Sequence, residues 1–232
     1  SFMRREGQPS LPAVLAARVI DRSIRPLFPY DFRNDVVVTC TVMSVDRDCS
    51  PEMTAMIGVS ACLAYSEIPW AGPIGCMEMG YVDGQIVKNP TQEQKHASKL
   101  DLTVAATDGK VIMIEAGADQ IPDDIMYDAI LQAHEECRKQ VAFINTIVAE
   151  IGREKMTYDH AAFDQELFDD IVANFMDEAK AAMDTDDKNI RESRWNAMIE
   201  KWHEKYLESH PDMDQYLEEI TYKFQKKIVK AW

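Results

Sequence analysis

Nine glycines punctuate this chain, the last of them at Gly152, and the eighty residues beyond are interrupted by proline only at Pro211. A stretch without these punctuators, rich in Glu, Asp, Lys, Ala and aromatics, reads as helix throughout. Upstream of Gly152 the punctuation alternates between strand and helix signals instead, as in a mixed domain. The shift marks a boundary near residue 150 and divides the chain into 1–152 and 153–232. With 232 residues and 46% hydrophobic content there is material for a real core. The fold class expected is α/β (α+β): a mixed or antiparallel sheet with helices, followed by an all-α helical bundle.

Ser10 caps a predicted helix from about Leu11 to Ile24, with Pro12 tolerated in its first turn and Pro26 ending it. Val14, Leu15, Val19 and Ile20 form its apolar side. Asp35 to Val45, with Val36, Val37 and Val38 and then Val42 and Val45, reads as a long buried strand. Ser50 and Pro51 open a second helix whose apolar face carries Met53, Met56, Ile57, Ala61, Cys62 and Ala64. Two hairpins follow from the Asp83-Gly84 and Asp108-Gly109 dipeptides, pairing Cys76–Val82 with Gln85–Val87 and Leu100–Ala106 with Val111–Ile114. A long helix runs from about Pro122 to Ile151, with Asp123 and Asp124 in its first turn and Gly152 as its stop. Three further helices are expected at about 160–183, 187–209 and 212–230. Their apolar sides are Phe163, Leu167, Ile171 and Phe175; Met198, Trp202 and Tyr206; and Tyr216, Ile220 and Phe224.

The strongest functional signal is local charge. The formal net charge is -15, yet the first forty-seven residues hold seven arginines and no lysine, and the first lysine is Lys88. Bulk charge governs solubility, whereas binding is decided by patches. Guanidinium offers a planar fork of donors that fits phosphate bidentately and stacks on bases, which a lysine ammonium does not. Arg18, Arg22 and Arg25, at i, i+4 and i+7, share one face of the first helix. The competing structural reading is local pairing with Asp21. A phosphate-bearing polymer is the ligand this pattern suggests.

Other patterns carry less. Five widely spaced cysteines indicate neither a disulfide framework nor a zinc site and suit a reducing, cytoplasmic setting. No apolar stretch approaches the roughly 20 residues of a membrane helix, so no membrane partner is expected. The pairs Asp123-Asp124, Asp169-Asp170 and Asp186-Asp187 read as helix starts and solvated faces rather than metal ligands. His134 reads as structural, and no Ser-His-Asp or Cys-His order emerges. Trp195, Trp202 and Trp232, with Tyr206, Tyr216 and Phe224, read as core rather than as a base-stacking platform.

The segment Ser1-Phe2-Met3-Arg4-Arg5-Glu6-Gly7, followed by Ala17-Arg18-Val19-Ile20-Asp21-Arg22-Ser23-Ile24-Arg25-Pro26-Leu27-Phe28-Pro29, resembles the first core domain of polynucleotide phosphorylase. Ala55–Gly58, Ile68-Pro69-Trp70-Ala71-Gly72-Pro73-Ile74-Gly75, Asn89-Pro90-Thr91 and Leu100-Asp101-Leu102 continue the match in order. The acidic helical tail resembles that family's linker domain, so nearly the whole chain is covered. The resemblance implies an RNase PH-like core, here truncated at its N-terminus, since the family's opening strands are not matched. The chain also starts at Ser1 without an initiator methionine, which suggests a fragment. The resemblance further implies a homotrimeric ring enclosing a channel for single-stranded RNA, with RNA-degradation machinery as a candidate partner, and phosphorolytic attack from the 3′ end that yields nucleoside diphosphates. Mg2+ or Mn2+ and inorganic phosphate serve that reaction.

By the same resemblance, Phe2, Arg4 and Arg5 correspond to the loop narrowing the channel, and Arg18, Arg22 and Arg25 to the adjacent basic helix. Met3 stands where a second aromatic is usual and Gln8 where another arginine is usual. The family's metal-binding carboxylates and phosphate-binding hydroxyls belong to its second core domain, so no catalytic residue and no metal ligand is assigned here. The parent is expected to be a polyribonucleotide nucleotidyltransferase and the isolated fragment inactive. The alternative is a non-catalytic RNA-binding ring subunit of the same fold, and a weaker one is a helical partner-binding module.

Overall fold

The computed structural model describes residues 9–160, 164–211 and 213–231. They fall into two compact units that divide between Asp159 and His160.

In the first unit, α1 (Leu11–Ile24) starts where the Ser10 hydroxyl accepts from the Ala13 amide at 3.3 Å. It tightens into a 3-10 turn at Arg25–Leu27, because Pro26 has no N–H with which to continue the helix. Its buried residues are Ile20, Ser23 and Ile24, all in the second half. Val14 and Leu15, expected on the covered side, are 39% and 51% exposed. Helix α2 (Pro51–Tyr65) begins on a proline pre-set for the first turn. Ser50 precedes it, but its hydroxyl bonds the Glu52 carboxylate at 2.6 Å instead of capping the backbone. Of the apolar face expected for α2, Met56 and Ala64 are buried, together with Val59 and Leu63, whereas Cys62 is exposed.

Four antiparallel strands follow: β1 (Gly75–Val82), β2 (Gln85–Lys88), β3 (Leu100–Ala106) and β4 (Val111–Ala118), in spatial order β2-β1-β3-β4. Both hairpins form, by different means. Val82 pairs with Gln85, and the two-residue loop between them puts Asp83 at φ 49° and Gly84 at φ 79°, the double positive φ of a primed turn. Ala106 pairs with Val111, so the second loop has four residues, closed by Thr107 N–H donating to Lys110 O at 2.9 Å. A short helix, α3 (Gln92–Ala97), joins the two hairpins on a reciprocal cap between Thr91 and Gln94.

Helix α4 (Asp123–Ile151) buries Ala129, Ala133, Cys137, Val141 and Ile144 along one stripe and packs across β1 and β3, while α2 packs on α4 and β1. Two positions show why the approach is close. A Cβ at Gly75 would collide with the Cys137 backbone. Gln140 of α4 accepts from Cys76 N–H and donates to Cys76 C=O, both at 2.8 Å. One side-chain amide thereby completes the edge of β1 where β2 does not reach. Gly152 ends α4 as expected, but with φ -61° rather than in the left-handed region; the role of glycine there is to leave room for the Val148 carbonyl.

Residues 35–45 do not form the buried strand that their sequence suggests. The segment has no regular structure, and Val37, Val42, Met43 and Val45 are 87%, 59%, 89% and 65% exposed. A strand needs a neighbour to satisfy its N–H and C=O groups, and no strand among the described residues pairs with this segment.

Residues 153–158 lie back against the first unit. Arg153 N–H donates to Tyr65 O and Met156 N–H to Glu67 O, at 2.8 and 2.7 Å. The Lys155 ammonium donates to the carbonyls of Leu63, Ala64 and Ser66 at the end of α2, where the helix dipole favours a cation. Tyr158 donates to Asp31 at 2.9 Å and meets Phe32 edge-on.

The second unit is a three-helix bundle of α5 (Gln165–Met183), α6 (Lys188–Tyr206) and α7 (Met213–Ala231). Asp164 and Asp187 cap α5 and α6 through their carboxylates, which is the helix-start role expected of Asp187. Leu167, Ile171, Phe175, Trp195, Met198, Trp202, Tyr206, Ile220 and Phe224 are buried in one core, and Tyr216 packs against it. The tryptophans Trp195 and Trp202 are therefore core residues. Phe163 and Trp232 lie outside the described residues.

Candidate nucleic-acid interface

Phe2, Arg4 and Arg5 lie outside the described residues. Arg18, Arg22 and Arg25 do fall on one helical face, and all three are exposed. Their environments differ. Arg25 makes a two-pronged pair with Asp21 one turn earlier, at 3.1 and 2.6 Å. That hydrogen bond, and then the charge behind it, raises the guanidinium pKa above its ordinary value. Arg22 reaches across to Glu115 on β4 at 3.2 Å, with about half of each side chain exposed. Arg18 has no carboxylate partner among the described residues. Solvent-exposed pairs of this kind are weak, so an incoming phosphate can displace them; Arg18 needs no displacement.

The row is held by a fixed base. Trp70 donates its indole N–H to Ile24 O at 3.0 Å, and Ala71 N–H donates to Leu27 O at 2.9 Å. A Cβ at Gly72 would run into the Trp70 ring, and Ser60 both accepts from Ile74 N–H and donates to Ile74 O. The sequence Ile68–Gly75 is thus the clasp that fixes the C-terminal end of α1 to α2 and β1. Glu115, the counter-charge of Arg22, lies 93 positions away in sequence and carries no local signal that would have pointed to it.

The other candidates have structural occupations. His134 Nε2 sits 3.0 and 3.1 Å from Thr107 O and Asp108 O, tying α4 to the second hairpin loop. Asp170 accepts from Tyr206 at 2.6 Å, which, more than Lys205 and Asn174, lowers the carboxyl pKa. Among the described residues no group of three or more His, Cys, Asp or Glu could hold a metal ion, and no helix is long and apolar enough to cross a membrane.

Residues 1–69 match the 3′ exoribonuclease family, domain 1, and residues 72–136 its domain 2. The two matches cover more than half the chain, which belongs to the 3′ exoribonuclease family and has its RNase PH-like core. Within that family it is similar to polyribonucleotide nucleotidyltransferases. It is 46% identical over 231 residues to that of Ruminiclostridium cellulolyticum, covering 100% of this chain and 33% of the relative. It is 47% identical over 230 residues to that of Lachnoclostridium phytofermentans, with 99% and 33% covered. The polynucleotide phosphorylase resemblance is borne out, and the chain spans about a third of the length of these relatives. The crystal structure of rice (Oryza sativa) Rrp46 aligns with 62% of this chain and 69% of its own at TM-score 0.49 and 13% identity, a likeness too slight to argue from.

Proposed function

We propose that this chain is the RNA-guiding part of a phosphate-dependent 3′-to-5′ exoribonuclease, a polyribonucleotide nucleotidyltransferase that converts RNA to nucleoside diphosphates. In this reading the first unit belongs to the first RNase PH-like core domain and the second to the helical linker domain. The parent assembles as a trimeric ring in the cytoplasm. Arg18, Arg22 and Arg25, with Phe2, Arg4 and Arg5, contact single-stranded RNA, while the reacting centre belongs to another domain of the parent. The observation that carries the proposal is the anchored, solvent-facing arginine row of α1, in a chain whose relatives bear that enzyme name.

Mg2+ or Mn2+ would assist phosphoryl transfer by neutralising developing charge. The described residues offer no cluster fit to hold such an ion, so none of its chemistry is assigned to this chain. What these residues supply is grip. Guanidinium groups pair with backbone phosphates regardless of sequence, which suits an enzyme that must take any RNA end.

The test is phosphorolysis by the full-length parent, read as nucleoside diphosphate released from polyadenylate in inorganic phosphate. Replacing Arg18, Arg22 and Arg25 with alanine is expected to raise KM for RNA several-fold and leave KM for phosphate unchanged. An unchanged KM for RNA removes the arginines from the RNA path. A parent without phosphorolytic activity that still binds RNA would be the non-catalytic ring subunit instead.

A further inference from the structure

The last helix carries a charge arrangement that the arginine row does not explain. Beyond Glu219 the chain has four lysines, Lys223, Lys226, Lys227 and Lys230, and no acid, in a unit whose remainder is dominated by carboxylates. The apolar side of α7, Ile220, Phe224 and Ile228, is buried in the bundle core, so the lysines occupy the outer face. Lys223 is held by Glu219 at 3.1 Å. Lys226, Lys227 and Lys230 are exposed, and none has a carboxylate partner among the described residues, although the Lys227 ammonium lies 5.8 Å from the Phe168 ring centroid. Tyr222 is 56% exposed, and the Lys226 ammonium lies 5.7 Å from its ring centroid.

The helix dipole favours cations in the last turn, which accounts for Lys230. It does not account for Lys226, and the pairs Lys223/Lys227 and Lys226/Lys230 are like charges at i, i+4, a spacing that destabilises an isolated helix. A bound polyanion would relieve that repulsion. A membrane surface is a poor match, because interfacial helices insert their apolar face, and here that face is used in the core. An exposed aromatic flanked by ammonium groups without carboxylate partners is instead the combination that binds single strands without reading sequence. From Tyr222 to Lys230 the helix rises about 12 Å at 1.5 Å per residue, enough to follow a few nucleotides.

We propose that Tyr222, Lys226, Lys227 and Lys230 form a second RNA-contact surface, the lysines taking backbone phosphates of a single strand and Tyr222 stacking on a base. It rests on the reading that the parent handles RNA. The experiment measures binding of a fluorescein-labelled oligouridylate to the full 232-residue chain over a salt series. K226Q/K227Q/K230Q is expected to weaken binding several-fold. It should also flatten the slope of log Kd against log salt by about 2, because each of the three lysine–phosphate pairs removed accounts for roughly 0.7 on a single strand. Y222L should weaken binding with the slope unchanged. All substitutions are on the solvent side, and circular dichroism checks that the helices persist. A triple variant with wild-type affinity and slope overturns the proposal, as does a loss of binding to anionic vesicles or polyglutamate that leaves the RNA affinity intact. If R18A weakens binding while the lysine variant does not, the α7 surface fails and the α1 reading stands. If the wild-type chain binds no oligouridylate, this proposal falls, and the phosphorolysis assay on the parent decides the wider reading separately.

Discussion

Gln140→Leu should destabilise the first unit far beyond what a half-buried surface position ordinarily costs. Gln140 is the only partner seen for the outward N–H and C=O of Cys76 among the described residues, with both bonds at 2.8 Å, and Cys76 is 2% exposed. Leucine fills similar volume but satisfies neither group, and a buried unpaired donor or acceptor costs about 1–3 kcal/mol. Partial access of water to this edge favours the lower half of that range. The pair of losses then comes to about 2–4 kcal/mol by the same bookkeeping. For a unit of this size each kcal/mol lowers Tm by about 2–4 °C, so the unit should melt roughly 4–16 °C lower. Differential scanning calorimetry reads the global shift. Hydrogen exchange at the Cys76 amide reads the local one, and it should lose protection before its neighbours in β1. Gln140→Glu refines the test. Its ionised carboxylate faces a carbonyl, which favours the protonated form and raises the folded pKa. Its stability is therefore present at low pH and lost as pH rises through that value. A leucine variant within about 1 kcal/mol of wild type would refute the idea that this amide stands in for a strand.

The buried thiols Cys76 and Cys137 are each pushed up to about 12, mainly by desolvation, so Ellman's reagent should titrate the exposed Cys40, Cys49 and Cys62 in the native chain and the other two only on unfolding. Five fast thiols would contradict that burial. For the same reason the stability these two cysteines contribute as neutral thiols should be present below the ordinary thiol pKa and decline as pH rises toward 12. Asp170→Asn should flatten the acid limb of the bundle's stability curve, since a carboxylate with a depressed pKa stabilises above its unfolded value of about 3.9 and loses that contribution as pH falls further; an unchanged acid limb would refute the Tyr206–Asp170 assignment. In RNA binding, Arg18→Ala should cost more affinity than Arg25→Ala, and Glu115→Gln should raise affinity by freeing Arg22; the reverse order would show that the salt bridges do not set the strength of the row.

The elements that were legible in the sequence are those whose signals are local. Ser10 with Pro12 and Pro26 bounds α1 to the residue. Asp83-Gly84 yields a primed turn because both positions adopt positive φ. The identical dipeptide at Asp108-Gly109 predicts a hairpin correctly but not its loop, since the Thr107–Lys110 closure lets both residues avoid positive φ. The Thr91/Gln94 capping box was an available signal for α3. The segment 35–45 failed for a different reason: β-branched alternation reports a preference for a pleated, half-buried surface, and that preference is expressed only when a neighbouring strand exists. The site divides in the same way. Spacing placed the three arginines on one face, but Glu115 and Trp70 act across the fold, and nothing near them in sequence reveals it.

That division bears on how the arginine row would work. A row of three free guanidinium groups would bind any anion and would repel itself at i, i+4. Asp21 and Glu115 temper the second and third positions with bonds weak enough to exchange, and leave Arg18 as the open contact. A strand bound along the row would pair with Arg18 directly and trade carboxylate for phosphate at Arg22 and Arg25, so that each of those two contacts costs the pair it replaces. Affinity per phosphate is then modest, which suits the proposed function, since an exoribonuclease must advance its substrate one nucleotide at a time and an unopposed row would hold the strand where it first bound. Tightening the row by Glu115→Gln should therefore slow turnover of long RNA in the parent even as it improves binding.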